Sequence, residues 1–335
     1  LPTKHLFSDS DSDSSSTASF SSFDSSHSTS TTDSHFSPHS DPSPTPSDAS
    51  NCSNSSQSSI DPHSFHYGDF PGRLNSSHMR GLILNLDRLP LHTKDLKWDD
   101  LCNMMEHYQI TIAMLQECGI NWNCLPRDQQ LLSILREKFK FRQCKARTAH
   151  NRQEGVGEKS QWGGTAVLSL GDVCRYARGV GEDPSGLGRW CWARFQGQDG
   201  VILRCVSVYG PCDSKNGDKS VWQQHIRFLN DNDDPRSPDV AFLEDLEADL
   251  KTWLAKGDQV VVGGDFNQEL TRGPLPAMFK RNNMHNMVFE LHSPEDLPST
   301  SKKATKKETH SGWHLWNAQS CPPQCWLSSH QRIPW

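Results

Sequence analysis

The stretch Gln259-Val260-Val261-Val262-Gly263-Gly264-Asp265-Phe266-Asn267 decides how this chain folds. Its β-branched apolar run is typical of a buried strand. Alternate residues of a strand share a face, so Asp265 and Asn267 should point the same way where the strand ends. The two glycines would let a substrate or a metal ion approach the backbone closely. A turn is the alternative interpretation, because Gly, Asp and Asn are also common turn residues.

Composition divides the 335 residues into three parts. Residues 1–60 contain 24 Ser and 6 Thr, with too few large apolar residues to form a packed core. We expect a disordered tail over residues 1–78, a folded domain over residues 79–300 and an irregular tail over residues 301–335. Residues 1–61 have a net charge of −7 and the remainder +1, which gives the total of −6. The charge of the domain therefore indicates little about its partners.

Cysteine usage and hydropathy indicate the cellular environment. The sequence has 11 cysteines, an odd number, and most lie in strand-like or helix-like runs, as reduced buried thiols would. Its apolar runs are shorter than the roughly 18 residues that span a bilayer, and we find no apolar leader at its start. We therefore expect an intracellular protein, nuclear or cytoplasmic, that is not secreted and has no membrane partner.

Strand-like and helix-like patterns alternate along the domain, which predicts a mixed α/β fold. The predicted strands are Gly81–Asp87, Ile110–Glu117, Gly164–Leu170, Arg189–Gln196, Val201–Tyr209 and a last one that begins with Gln259–Val262 and ends at Asp265 and Asn267. The predicted helices are Leu96–Tyr108, Arg127–Phe139 and Asp239–Lys256, and the predicted loops are Gly179–Gly188 and Asn230–Pro238.

Polar side chains stand where these apolar strands end. They are Asn85, Asp87, Glu117, Tyr209, Asp265 and Asn267. Open α/β sheets form ligand sites at strand ends, so these residues predict a shared pocket. Asn85 could instead cap a strand end, and Tyr209 could be a core residue with a satisfied hydroxyl. Glu117 and Asp265 indicate function more strongly, because an unpaired buried carboxylate is costly.

Five motifs in order resemble one known superfamily. They are Leu84–Asp87, Leu115–Glu117, Gly163–Leu168, Val208–Pro211 and Gly263–Asn267. Over about residues 80–300 the chain resembles the endonuclease/exonuclease/phosphatase superfamily, to which deoxyribonuclease I belongs. Within it, the chain is most similar to the endonuclease domains of non-LTR retrotransposons. The resemblance implies a four-layer α/β sandwich, with two facing mixed β-sheets flanked by helices.

The resemblance also implies a metal-dependent activity. It implies hydrolysis of phosphodiesters in DNA with Mg²⁺ or Mn²⁺. By motif, Glu117 would be the principal metal ligand, and Asn85 with Asp87 would complete the metal and phosphate site. Mg²⁺ prefers one or two carboxylates together with phosphate oxygens and water, which agrees with this set.

The remaining motif residues would act on the substrate. The resemblance implies that Asp265 orients or deprotonates the attacking water and that Asn267 holds this water and a phosphate oxygen. Tyr209 would contact the phosphate. Phosphate hydrolysis depends mainly on positioning and charge stabilisation, for which a carboxylate and a carboxamide are suitable.

The C-terminal part departs from the superfamily, which ends with a late strand that bears a carboxylate and with a Ser-Asp-His motif. Here Ser328-Ser329-His330 has no Asp before the His, and no clean strand pattern follows about Thr300. We expect the C-terminal strands to be missing or aberrant. Reading Gly312–Ala318 one base later can give Asp-Gly-Ile-Tyr-Gly-Thr-Pro, which resembles the late segment of the superfamily. Our hypothesis is a reading-frame shift between about Thr300 and Gly312.

Other interpretations of the sequence remain. Cys321, Cys325 and His330 superficially suggest zinc, but their C-x3-C spacing lacks a second pair. A lipid or inositol phosphatase would share the scaffold, although a late motif rich in Arg and Lys is missing. The chain could also be a catalytically inactive remnant that binds metal or nucleic acid.

Overall fold

The structure is a computed structural model that describes residues 79–92, 95–140, 142–153, 158–197, 200–212, 217–287, 289 and 324–328. The predicted tail over 1–78 and the proposed frame-shifted segment 312–318 lie outside these residues. Cys321 and His330 lie outside them as well. The predictions for these parts of the chain stay predictions.

Two mixed β-sheets form the centre of the domain. The first sheet has the order β1-β2-β4-β3, and the second has the order β5-β6-β7-β8-β10-β9. Strands of the first sheet are β1 Gly81–Asn85, β2 Ile112–Gln116, β3 Cys144–Ala149 and β4 Thr165–Leu170. Strands of the second are β5 Ala177–Glu182, β6 Trp190–Gln196, β7 Ile202–Tyr209, β8 Gln259–Asp265, β9 Met284–Asn286 and β10 Gln324–Ser328. The pairs β1–β2 and β7–β8 are parallel, and the other neighbours are antiparallel.

The helices connect these strands and begin at favourable residues. They are α1 Leu96–His107, α2 Leu131–Lys138, α3 Val221–Asp231, α4 Pro238–Ala255 and α5 Pro274–Arg281. Short 3₁₀ turns cover Trp122–Cys124, Arg127–Gln129 and Gly171–Tyr176. Asp95 caps α1 by accepting from the backbone N–H of Lys97 at 2.9 Å, which satisfies a donor that the helix leaves unpaired.

Three separate cores define four layers. Leu82 and Leu84 of β1 pack towards α1 and α2, whereas Ile83 between them packs into the core between the two sheets. On the other side, Val261 of β8 faces that central core, while Val260 and Val262 pack against α4 and α5. This alternation follows from the two-residue period of strands. The domain is therefore a four-layer α/β sandwich, as the resemblance implied.

The strongly apolar elements were predicted correctly, with ends that differ by a few residues. The loop prediction for residues 179–188 was wrong in its first part, because β5 extends to Glu182. A Cβ at Gly181 would collide with the indole of Trp192 on the neighbouring strand. Glycine there serves packing within the sheet, although in the sequence it favours a loop.

One late strand departs from the expectation for the C-terminal part. β10 pairs antiparallel with both β8 and β9, with Trp326 opposite Val262 and Asn286. Its backbone covers an edge of β8 that would otherwise present unpaired N–H and C=O groups. The segment therefore supplies a strand although its sequence shows no alternating pattern.

Two further observations bear on the sequence-based expectations. The described cysteines are free thiols, and most of them are buried, as expected from their positions in strand-like and helix-like runs. In the part of the chain that the structure describes, no helix is long and apolar enough to cross a membrane.

Candidate active site

The six polar residues predicted at strand ends lie together where two pairs of parallel strands end. In the first sheet, Asn85 at the end of β1 is opposite Gln116, and Glu117 follows directly. In the second sheet, Tyr209 at the end of β7 is opposite Asp265 at the end of β8. The two sheets face one another, so these carboxyl ends form one site.

A hydrogen bond between the sheets joins Asn85 to Asp265. Asn85 Nδ2 donates to Asp265 Oδ2 at 2.9 Å. Asn85 Oδ1 accepts from the backbone N–H of Asp87 at 2.9 Å. The nitrogen and the oxygen of the Asn85 amide are therefore both hydrogen-bonded. They hold the side chain between the residues that follow β1 and the opposite sheet.

Asn267 fixes the other oxygen of Asp265. Its backbone N–H donates to Asp265 Oδ1 at 3.0 Å, and its Nδ2 donates to the carbonyl of Gly210 at 2.9 Å. Both Asp265 oxygens thus accept a hydrogen bond, which orients the carboxylate. Asp265 is half-buried and Asn267 is exposed, so solvent or a substrate can reach the pair.

Tyr209 connects this part of the network to Glu117. Its phenol lies close enough to the side chains of Glu117 and Asn267 for both to change its pKa, and only 7% of the residue is exposed. Burial, the charge of Glu117 and the charge of Asp265 together raise the pKa of Tyr209 far above its usual value. The hydroxyl stays protonated and acts as a hydrogen-bond donor. Tyr209 is thus both a buried residue and a member of the site.

Unusual backbone conformations cluster at the same place. Asp87, Arg88, Glu117 and Asn267 have φ angles of 43°, 67°, 50° and 51°. Residues other than glycine rarely adopt this left-handed region, which costs of order 1–3 kcal/mol each. The Arg88 N–H donates to the Glu117 carbonyl at 2.8 Å, which holds two of these segments together. Such strain is typical of residues whose positions serve a ligand.

The glycines of the β8 motif have a different role from the one the sequence suggested. A Cβ at Gly263 would collide with Ile83 of the opposite sheet, and a Cβ at Gly264 would collide with the backbone of Val208. These glycines therefore allow close packing between sheets and between strands. The close approach that they permit is to the protein itself rather than to a ligand.

The site has three carboxylates, those of Asp87, Glu117 and Asp265. In the described residues, their side chains form no salt bridge with Lys, Arg or His. The Lys97 ammonium lies at the edge of the site, where it donates to the backbone carbonyl of Asp87 at 3.0 Å. A divalent cation could therefore bind one or two of these carboxylates without displacing an ion-pair partner.

The donor atoms suit Mg²⁺ or Mn²⁺ better than zinc. Within the residues that the structure describes, no group of three or more His, Cys, Asp or Glu side chains could hold a metal ion. A structural zinc site needs four such ligands. Mg²⁺ usually takes one or two carboxylates and completes its shell with phosphate oxygens and water. Glu117 and Asp87 are hard oxygen donors of this kind, and the engaged amide of Asn85 would contribute through its oxygen.

A buried polar contact supports the site from below. Gln116, which precedes Glu117, donates from Nε2 to Ser207 Oγ at 2.9 Å, and Ser207 donates to the Leu115 carbonyl at 2.8 Å. This contact joins β2 to β7 directly beneath Glu117 and Tyr209. We did not predict it from the sequence, although a Gln and a Ser inside apolar strands could have indicated it.

Comparison with known proteins gives similarity in fold. No protein-family model matches the sequence, and no curated protein matches it. The chain is similar to solved structures of the endonuclease/exonuclease/phosphatase superfamily. Identities to the structures described below are 14–15%, so the similarity concerns the fold and leaves the substrate open.

Three of these structures illustrate the range of TM-scores and coverage. An AP endonuclease from Leishmania major has 15% identity and a TM-score of 0.49, and covers 76% of this chain and 80% of its own. An endonuclease/exonuclease/phosphatase family protein from Leptotrichia buccalis has 14% identity and a TM-score of 0.39, and the match covers 63% of this chain and 77% of that protein. A 3′ phosphatase from Neisseria bound to a product DNA hairpin has 15% identity and a TM-score of 0.40, and the match covers 75% of this chain and 87% of that protein.

Proposed function

We propose that this domain is a metal-dependent phosphodiesterase that cleaves DNA, an endonuclease domain of retroelement origin. The observation behind the proposal is the set of contacts that joins Asn85, Asp265, Asn267, Tyr209 and Glu117, to which Asp87 is attached through its backbone N–H. It unites carboxylates without cationic partners, fixed amides and a protonated phenol at strand ends. The retroelement origin rests on the order of the sequence motifs.

The site residues divide into two groups in this proposal. Glu117 with Asp87 and the Asn85 oxygen would hold Mg²⁺ or Mn²⁺, which supplies positive charge to the phosphate. Asp265 would orient the attacking water and accept its proton, because its carboxylate is held by Asn85 and Asn267 and remains accessible.

Two further residues would contact the phosphate. The Tyr209 hydroxyl stays protonated and lies beside Glu117 and Asn267, so it could donate to a phosphate oxygen that enters the site. Asn267 is exposed and has a fixed amide. Donors that are held before the substrate arrives stabilise developing charge without reorganisation.

Nicking of supercoiled DNA tests the proposal. We expect the purified protein to nick a supercoiled plasmid with Mg²⁺ or Mn²⁺ and to stop when EDTA is added. Asp265→Ala should abolish nicking. Asp172→Ala is the matched control, because Asp172 is 87% exposed in its side chain and follows β4 at the opposite end of the first sheet. A wild-type protein that never nicks DNA would contradict the proposal.

A catalytically inactive remnant is the second candidate. The segment in which the superfamily has its late carboxylate and its Ser-Asp-His motif is altered in this sequence. A remnant would still gain thermal stability from Mg²⁺ but would leave the plasmid intact. A phosphatase would instead release phosphate from phosphoinositides, so this assay belongs beside the nicking assay.

A further inference from the structure

A cavity of about 240 Å³ lies beside the proposed active site. Its lining is mostly polar and charged and contains one indole ring. The lining residues are Arg88, Glu158, Ser160, Gln161, Trp162, Lys219 and Gln224. The volume is below the roughly 300–1,000 Å³ of pockets for drug-sized ligands, so the cavity suits a small planar group better than a large ligand.

Arg88 and Trp162 form a stacked pair in this cavity. The Arg88 guanidinium carbon lies 3.9 Å from the centroid of the Trp162 ring. Trp162 is nevertheless 44% exposed, whereas Trp98, Trp122, Trp190, Trp192, Trp222 and Trp253 are buried or half-buried. An indole that is held by an arginine and still open to solvent is a suitable surface for stacking a nucleobase.

Both members of the pair are connected to the proposed active site. The backbone N–H of Arg88 donates to the carbonyl of Glu117 at 2.8 Å. Trp162 directly precedes Gly163, where an added Cβ would lie 3.6 Å from the Tyr209 ring. A base stacked on Trp162 would therefore belong to a nucleotide close to the phosphate at Glu117 and Tyr209.

The remaining lining suits a nucleotide rather than an apolar ligand. Lys219 is 76% exposed in its side chain and pairs with Glu158 at 3.3 Å, an exposed contact that holds the lysine only weakly. Gln161 and Gln224 also line the cavity, where their amides hydrogen-bond to Asn151 and to the Lys219 carbonyl and so fix the wall. A weakly held lysine can contact the phosphate backbone of a nucleotide.

We propose that Trp162 and Arg88 form a stacking site for an unpaired nucleobase next to the phosphodiester that is cleaved. This inference rests on the proposed function, which it extends from DNA in general to a substrate with an unstacked base. Bases inside an intact duplex cannot reach such a platform without leaving the stack, which costs a few kcal/mol. Single-stranded or frayed DNA should therefore bind more tightly than intact duplex.

Binding without catalysis gives the first test. Single-stranded oligonucleotides with 2-aminopurine at one position are titrated with the wild-type full chain in EDTA. Stacking on an indole quenches 2-aminopurine, so we expect quenching at one or two positions and little quenching in a duplex of the same sequence. Equal responses at every position, or tighter binding of the duplex, would overturn the proposal.

Variants identify the residue responsible. Trp162→Ala should weaken binding of the single strand by about 5- to 100-fold, the usual effect of removing one stacking aromatic. Trp162→Phe should retain most of the affinity because it keeps a ring. Tyr176→Ala is the matched control, since Tyr176 is similarly exposed at 45% and lies at the opposite end of the first sheet. Unchanged affinity in a folded Trp162→Ala protein would overturn the proposal.

The two proposals fail in different ways. If the wild type nicks DNA and Trp162→Ala binds single strands normally, the stacking site is wrong and the proposed function stands. If binding depends on Trp162 but neither metal supports cleavage, the stacking site stands and the proposed function is wrong.

Discussion

Acidic side chains have opposite surroundings at the two ends of β7 and β8. At the amino ends, Asp258 accepts from Arg204 at 2.9 and 2.6 Å and from Arg194 at 2.9 Å. The Asp258 side chain is completely buried. At the carboxyl ends, Asp265 is half-buried, and within the described residues it accepts from the side-chain amide of Asn85 and the backbone amide of Asn267.

We call the amino ends of β7 and β8 the closed end and their carboxyl ends the open end. The closed end is also packed between aromatic rings. The Arg204 guanidinium lies 3.9 Å from the ring of Trp192 and 4.7 Å from that of Trp253. The Asp258 carboxylate is fully buried and paired with two arginines, so the cluster has a structural role. At the open end, the carboxylates of Asp87, Glu117 and Asp265 have no salt bridge among the described residues, and the backbone is strained. The contrast teaches that the two ends differ in whether an acid has a cationic partner, rather than in whether an acid is present.

The largest expected effect is on cleavage by Asp265→Asn. The substitution keeps the shape of the side chain but removes the charge that would accept a proton. We expect the cleavage rate to fall by about 10²- to 10⁴-fold, with a melting temperature within a few degrees of wild type. Steady-state cleavage assays and melting curves measure both. A variant that cleaves at the wild-type rate would remove Asp265 from the chemistry.

Asp258→Asn should produce the opposite result at the closed end. It leaves the buried Arg204 without its anionic partner, which typically costs about 3–5 kcal/mol. We expect a large decrease in the free energy of unfolding, measured with urea, and little change in cleavage rate under conditions where the protein remains folded. A variant as stable as wild type would mean that the two ends do not differ as we describe.

Metal binding should stabilise the open end. At 100 times its dissociation constant, an ion that binds only the folded state adds about 2.7 kcal/mol. For a domain of this size, that is a rise in melting temperature of roughly 5–10 °C. We expect Mg²⁺ to raise the melting temperature of wild type and to have little effect on Glu117→Gln. Equal rises in both proteins would place the ion elsewhere.

The smallest effect concerns Tyr209 at alkaline pH. Its pKa is raised in the folded protein by burial and by the charges of Glu117 and Asp265. Above about pH 10 the unfolded tyrosine loses its proton and the folded one keeps it, so stability falls as pH rises. At pH 11 wild type should lose about 1.4 kcal/mol of unfolding free energy more than Tyr209→Phe does. Parallel pH profiles in urea unfolding would show that the Tyr209 hydroxyl is not held as described.

Elements with continuous apolar runs could be predicted from the sequence, and polar elements could not. β3 has the sequence Cys-Lys-Ala-Arg-Thr-Ala, and only its first and last residues are buried. Its sequence therefore has no apolar pattern from which a strand could be predicted. The buried face of α3 includes Gln224 and His225, which hides its helical period. Gln224 is satisfied by Asn151 at 2.8 Å, a contact that only the folded chain creates.

The sequence by itself determined the apolar strands, their polar ends and the choice of six candidate site residues, because local patterns of two and 3.6 residues record burial directly. The tertiary structure decided which residues meet. It joined Asn85 to Asp265 across 180 positions of sequence, assigned the glycines of the β8 motif to packing, and brought Arg88 against Trp162. Such contacts depend on how the two sheets face one another, which no local pattern encodes.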